Sequence, residues 1–401
     1  MGKPQNIAIC GAGIGGLASA IMLARAGHSV HVFDQFDTPQ PIGSGLMLQQ
    51  TGLAVLSKLG LRDNIEALGS KIDRLWGLTT PSQRPVLDVR YAKWKSELYG
   101  LGVQRGMVFN QLLDAALASG AELVGSTDIV SVDAVSGTVT RQNGSSIGPF
   151  DLVIDALGVR SPLTRAPKRD LPYGALWATL PWPKDSGFDA KALEQRYHKA
   201  SKMTGVMASG RTHADAPESL TYFWSIRADQ EQAWRGGSLE SWKDEAETLW
   251  PETRVLLDQF QSHDELTFAR YRHRTHPSPI SGPRLVHIGD AWHAASPQLG
   301  QGANMALLDA WALAKAIQDA ADTPDALKQF KRLRNGHVQL YQWMTWLFTP
   351  VYQGDSTALP WLRDWLAAPL SKLWPAPPLL AAMVSGMIGS PMGQLKLRVR
   401  P

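Results

Sequence analysis

The first 34 residues leave a chain of this length few ways to fold. Residues 6–10, Asn-Ile-Ala-Ile-Cys, form a short apolar run with the β-branched content of a buried strand. Gly11-Ala-Gly13-Ile14-Gly15-Gly16 follows without a gap, then a helix-forming stretch that Gly27 ends. Residues 28–33 form a second strand, closed by Asp34 with Gln35 beside it. Strand, glycines, helix, strand and acid in this order make a dinucleotide-binding fingerprint. Gly11 makes the tight turn. Gly13 lets backbone N–H groups approach a pyrophosphate, and Gly16 lets the helix pack closely on the strand. Asp34 lies 18 residues beyond Gly16, where a carboxylate bonds a ribose hydroxyl. An acid there favours an adenosine ribose with a free 2′-hydroxyl, which FAD and NAD both carry.

A second motif lies about 270 residues downstream. Residues 284–288 read as a strand, Gly289 and Asp290 end it, and Pro297 with Gly300-Gln301-Gly302 makes a loop. From Ala303 onward apolar residues recur at helical spacing. A carboxylate at the strand end and small residues at the helix start let backbone N–H groups approach an electron-rich ligand. Gly43 and Gly45 bare more backbone in a loop between the two motifs. Arg105, at a strand end before a helix over residues 108–117, reads equally as a phosphate or flavin contact and as a surface arginine.

At 401 residues the chain exceeds one simple core, so two domains or one composite domain are expected. A net charge of +4 with 19% charged residues argues against a strong polyelectrolyte partner, nucleic acid included. Basic clusters at residues 168–169 and 328–334 read as solvated surface. The single cysteine, Cys10, excludes a disulfide framework and fits a reducing cytoplasm. The chain enters a strand at once, so no signal peptide is expected, and no apolar run is long enough to span a membrane.

Residues 121–139 read as hairpin strands and residues 151–155 as a further strand. From 171 to 274 helical periodicity fades and aromatic strand-like segments appear. Trp177, Tyr222 and Trp224 lie on them, and alternation puts Tyr222 and Trp224 on one face. That face is either a packed aromatic core or one wall of a substrate pocket. The tail is rich in Pro, Trp and Leu, and its segment 379–388 suits a docking helix, a lid or a weak membrane-surface contact. The predicted class is α/β. A Rossmann-like dinucleotide-binding domain spans residues 1–170 and 275–345, an inserted, mostly antiparallel sheet spans 171–274, and a helical tail spans 346–401.

Three motifs in matching order resemble the single-component FAD-dependent aromatic hydroxylases, the para-hydroxybenzoate hydroxylase fold group. They are the glycines from Gly11, the Asp151-Leu-Val-Ile segment running into Gly158 and Ser161, and Gly289-Asp290-Ala-x-His293 with Pro297 and Gly300-Gln301-Gly302. The resemblance covers roughly residues 5 to 345. It implies that Gly11, Gly13, Ile14, Gly15 and Gly16 hold the FAD pyrophosphate and that Asp34 and Gln35 meet the ribose. It places Gly45 and Arg105 at the flavin, Asp290 on the ribityl chain, and Gly300, Gln301, Gly302 and Ala303 against the isoalloxazine. Pro297 would line the side where oxygen and a small aromatic substrate react. NADH or NADPH would reduce the flavin transiently, O₂ would add at C4a, and the hydroperoxide would hydroxylate the ring. The cofactor then carries the chemistry, and no protein acid or base is named.

Two departures from the family pattern stand out. Leu157 replaces the middle motif's Asp, with Asp155 two residues earlier, and Trp292 replaces a small Ala, either crowding the site or filling a core gap. His293 reads as structural, and a monomer or homodimer is expected. A reductase- or halogenase-like flavin enzyme, an NAD-dependent dehydrogenase and a non-catalytic flavoprotein that sequesters an aromatic compound remain alternatives.

Overall fold

The computed structural model describes residues 3–40, 44–165, 169–184 and 186–399; Gly43 and Lys168, named above, lie outside them. β1 (Asn6–Cys10), α1 (Ile14–Arg25) and β2 (Ser29–Phe33) form the expected unit, with β1 and β2 parallel and Asn6 opposite Ser29. β3 (Gly45–Leu48) leads into α2 (Gln50–Leu59), which ends on Gly60 at φ 78°, a conformation glycine adopts without strain. β4 (Arg74–Thr79), β5 (Pro85–Arg90), β6 (Gly100–Gln104), α3 (Arg105–Ala118), β7 (Glu122–Val124) and β8 (Leu152–Asp155) follow. β8, β1, β2 and β7 lie side by side, all parallel. The expected hairpin over 121–139 is therefore only partly present. Ile129–Asp133 and Thr138–Arg141 pair antiparallel, but β7 extends the parallel sheet beside β2.

The second sheet comprises β9 (Arg169–Pro181), β10 (Ala192–His198), β11 (Lys202–Gly210), β12 (Ser219–Arg227) and, after helix α4 (Leu239–Leu249), β13 (Thr267–His273). It has seven strands in the order β13-β9-β12-β11-β10-β4-β5. The sheet thus reaches beyond residues 171–274, because β4 and β5 complete it from the N-terminal part. Pro81 and Pro85 break residues 72–99 into turns and short strands in the sequence pattern, and nothing in that pattern shows which sheet those strands join. The chain returns through β14 (Ile280–Gly282) and β15 (Leu285–His287), and β15 adds parallel to β8. α5 (Gly302–Asp319) and α6 (Thr323–Tyr352) follow. The Asp322 side chain accepts from Asp325 N–H at the start of α6, and that helix runs straight through the expected boundary at 345. In the tail, α7 (Ala376–Val384) docks with Ala381 and Val384 buried against Met47, Ile72 and Tyr91.

Tyr222 and Trp224 do share a face, together with Leu220 and Ile226, and α4 covers it. Trp242, Trp250 and Phe260 close over them, with Trp224 and Trp242 edge to face at 6.3 Å. The two residues are therefore core, not pocket wall. Alternation fixed their common face, but only the packing of α4 decided which face it was. Trp224→Ala should leave a cavity and lower stability by about 3–5 kcal/mol. Denaturant melts should register that loss.

Candidate functional site

The glycine loop shows two kinds of necessity. A Cβ on Gly16 would fall 2.0 Å from the Gly11 carbonyl oxygen, so the turn and α1 touch there. A Cβ on Gly13 would meet nothing within 4 Å, so that side of the loop is open. Gly13 caps α1 without a side-chain bond, which leaves the first-turn N–H groups of Ile14, Gly15 and Gly16 free of intrahelical partners. Asp34 accepts from Ala12 N–H at 2.9 Å and from Phe36 N–H at 3.0 Å, and so holds the loop from the end of β2. A carboxylate has room for a further donor. Gln35 is exposed beside it.

The downstream motif packs directly on this unit: a Cβ on Gly15 would lie 3.3 Å from Ala306 and 3.5 Å from Ile288. Its turn is anchored from beneath by Asp309, fully buried, which accepts from Gly289 N–H at 2.9 Å, from Arg334 Nε at 2.7 Å and from His293 Nε2 at 2.6 Å. His293 is structural, but its ring bonds this buried carboxylate and not the backbone that the sequence reading expects. Arg334 Nη1 donates to His337 Nδ1 at 2.9 Å, and His337 Nε2 donates to the Gly386 carbonyl at 3.1 Å. Trp292 fills a core gap, 5.7 Å from the Phe330 ring, with its indole N–H on the His276 carbonyl. Asn304 joins β3 to the loop through Gln49 N–H, the Met47 carbonyl and the Gly300 carbonyl.

The loop residues face different ways. Gly300 adopts φ 61°, Gly302 opens α5 with nothing near its missing side chain, and Ala303 follows it. Pro297 heads an exposed turn. The Gln301 side chain turns away to the tail, its amide on the Val384 carbonyl at 2.7 Å, so only its backbone can face a ligand. The side on which Gly45 lacks a Cβ is occupied by Thr221, whose Oγ1 would lie 2.0 Å from that atom. Gly45 therefore joins β3 to the second sheet. The opposite face of the sheet carries Thr221, Phe223, Ser225 and Trp177; Thr221 and Ser225 reach the loops, while Phe223 is buried with Val86, Tyr197, Met203 and Ala368, and Trp177 packs against that cluster with its ring 4.8 Å from that of Phe223. Gln353 bridges Gln298 to Ser225 there, a link no sequence pattern had marked.

Arg105 opens α3 half-buried, and its Nε has no partner. Burial lowers its guanidinium pKa, and the nearby charge of Asp290 opposes that shift. Arg274 is buried with no partner for any guanidinium nitrogen. Burial again lowers its pKa, against the charges of Asp155 and Asp290. Arg274 was missed because nothing local distinguishes it; only its position just beyond β13 brings it near Asp290. Asp155 does not replace the acid missing at Leu157. It is fully buried, accepting from Ser161 Oγ at 2.6 Å and His287 Nδ1 at 2.7 Å, and ties β8 to β15. Open N–H groups, an open Gly13 and unpartnered guanidinium nitrogens fit an anionic dinucleotide.

A protein-family model described as FAD binding domain matches residues 5–340. The chain belongs to that family. It is a FAD-dependent aromatic monooxygenase. The 3-amino-4-hydroxybenzoate 2-monooxygenase of Streptomyces cremeus is 28% identical to it over 348 residues, 82% of this chain and 83% of the relative. The 6-hydroxynicotinate 3-monooxygenase of Bordetella bronchiseptica is 28% identical over 333 residues, 79% and 83% of the two chains. A solved structure, the tetrameric form of 2-methyl-3-hydroxypyridine-5-carboxylic acid oxygenase, shares the fold with a TM-score of 0.77 over 98% of both chains at 20% identity.

Two variants separate the glycine roles in this flavoprotein. Gly13→Ala should fold normally yet retain FAD at least about tenfold less well, since its Cβ enters only the open side of the loop. Gly16→Ala should lose folded yield, because its Cβ meets backbone. Fluorescence titration with FAD and thermal melts read the two effects.

The anchor predicts a pH dependence. Burial, reinforced by the charge of Arg334, lowers the His337 pKa to about 3, below the roughly 6.5 of an unfolded histidine. The unfolded chain therefore takes up the proton first, and stability falls as pH drops from about 6.5 toward 3. Asp309 also titrates below its ordinary value: burial raises its pKa, but His293 and Arg334 together outweigh that. His337→Gln keeps an acceptor and a donor but cannot titrate. Across that window wild type should lose up to about 1.4 kcal/mol per pH unit more than the variant in urea unfolding.

Proposed function

We propose that the region between the two glycine motifs and the Thr221–Ser225 side of the second sheet holds FAD with an electron-rich aromatic ring stacked beside it. The observation that carries this reading is the packing of Gly15 against Ala306 and Ile288, which brings together two ligand-facing loops about 270 residues apart. FAD, when bound, takes hydride from NAD(P)H and activates O₂ for transfer to the ring.

The chain's own residues position and shield. Gly11, Gly13 and the N–H groups of Ile14, Gly15 and Gly16 would hold the pyrophosphate, and Asp34, with Gln35 at its side, the ribose. Asp290 would accept from a ribityl hydroxyl. Arg105 and Arg274 would meet a phosphate or an anionic ring substituent. The backbone from Gly300 to Ala303 would line the flavin ring, Gly45 would close the joint to the second sheet, and Pro297 would exclude water from the reacting side. The relatives act on rings named as hydroxylated and carboxylated, 3-amino-4-hydroxybenzoate and 6-hydroxynicotinate, and we propose the same broad class here.

Purified protein should be yellow and release FAD on heating. Hydroxylated aromatics should stimulate NAD(P)H oxidation and gain one oxygen by mass. Asp290→Ala should remain folded and retain FAD about tenfold less well, a charge-assisted bond of about 1.5–3 kcal/mol being lost. Tight aromatic binding with no stimulated oxidation would instead mark a sequestering protein.

A further inference from the structure

Eleven of the seventeen large apolar side chains left exposed among the described residues fall between Trp343 and Leu379. That span is roughly a tenth of the chain, so the exposure is a patch and not ordinary scatter. Five are tryptophans, Trp343, Trp346, Trp361, Trp365 and Trp374, the last 87% exposed. The consecutive helical segments Ala358–Leu362, Arg363–Ala367 and Ala368–Leu370 are inverted relative to a helix in water. Trp361 and Trp365 repeat at four-residue spacing on the outside, as do Leu362 and Leu366. Arg363 is buried on the inside, donating to the carbonyls of Val351 at 3.2 Å and Lys199 at 3.1 Å. Beside them runs an apolar groove of about 480 Å³, lined in part by Met344, Leu370, Leu379 and Met383.

The rim is basic. From residue 356 to 399 the only acid is Asp364, which buried Arg363 holds, and that leaves Lys372, Lys396 and Arg398 as its uncompensated charges. The turn that packs against α7 adds exposed Lys93, Trp94 and Lys95, with Glu97 its one acid. We propose that this face docks on a bilayer surface containing anionic phospholipid. A bilayer meets the lysines with phosphate and takes the indoles at headgroup depth, where their N–H groups stay hydrated. A two-fold contact with a second copy would instead set the patch against itself and its lysines against each other. No helix among the described residues is long and apolar enough to cross a membrane, so the contact lies along the surface. The Gln301 bond to Val384 joins this face to the cofactor loop, although the proposal does not rest on the cofactor reading.

Flotation of the holoenzyme with vesicles tests it. The protein should float with phosphatidylcholine–phosphatidylglycerol vesicles and be partly released by salt. The triple variant Trp361→Ser/Trp365→Ser/Trp374→Ser should float at least tenfold less, with FAD content unchanged. Lys93→Ala/Lys95→Ala/Lys372→Ala should lose roughly fivefold per lysine on the anionic vesicles and little on phosphatidylcholine alone. Wild type that stays unbound to both vesicles overturns the proposal. So does a tryptophan variant that floats like wild type. A dimer on size exclusion that the tryptophan variant converts to monomer would assign the face to a second copy and equally overturn it.

Discussion

The Asp309 carboxylate holds the site in place. It is fully buried, and burying a carboxylate is unfavourable unless charge and hydrogen bonds compensate. Here Gly289 N–H, His293 and Arg334 all converge on it. Through Arg334 and His337 the same network reaches Gly386 in the tail. One buried charge thus fixes the strand-end turn, two long helices and the C-terminal segment relative to one another. Removing one member of such a group leaves a charge unpaired and costs about 3–5 kcal/mol. Asp290, the next residue after the anchored Gly289, inherits its aim from that arrangement.

The anchored charges contrast with the open ones. Asp155 and Asp309 have partners within the protein, and Arg334 has them at Nε and Nη1 though not at Nη2, whereas among the described residues Arg274 has none for any guanidinium nitrogen. An unpaired buried cation lowers stability, so it persists where a ligand completes it. This difference separates the groups that build the frame from the one to which we assign a cofactor or substrate contact. It also accounts for the altered middle motif. Asp155, two residues before the position of the expected acid, has been taken into the frame by Ser161 and His287.

The second sheet works on both faces. Tyr222 and Trp224 build a private core beneath α4, while on the other face Thr221 and Ser225 reach the loops and Phe223 packs into a second core with Tyr197 and the tail's Ala368. The short strands that complete this sheet lie about 120 residues before their partners, so the sequence shows the strands but not the sheet they join. Gly45 and Gln353 join it to the cofactor-binding part, the first by lacking a side chain and the second by bonding across the joint.

The βαβ unit and the loop from Gly289 to Gly302 were legible in the sequence because glycine spacing, strand composition and a terminal acid are local properties. The same holds for Gly60 at its helix end, for the start of α6 and for the existence of an inserted sheet. Period-two alternation also told which aromatics share a face. It could not tell which face was buried under α4, because that depends on what packs above the sheet. Nor could local pattern find Arg274, Gln353 or the Asp309 anchor, whose partners lie tens or hundreds of residues away. The turned-away side chain of Gln301 and the outward tryptophans of the tail belong to the same class: burial and pairing are set by neighbours that only the folded chain brings together.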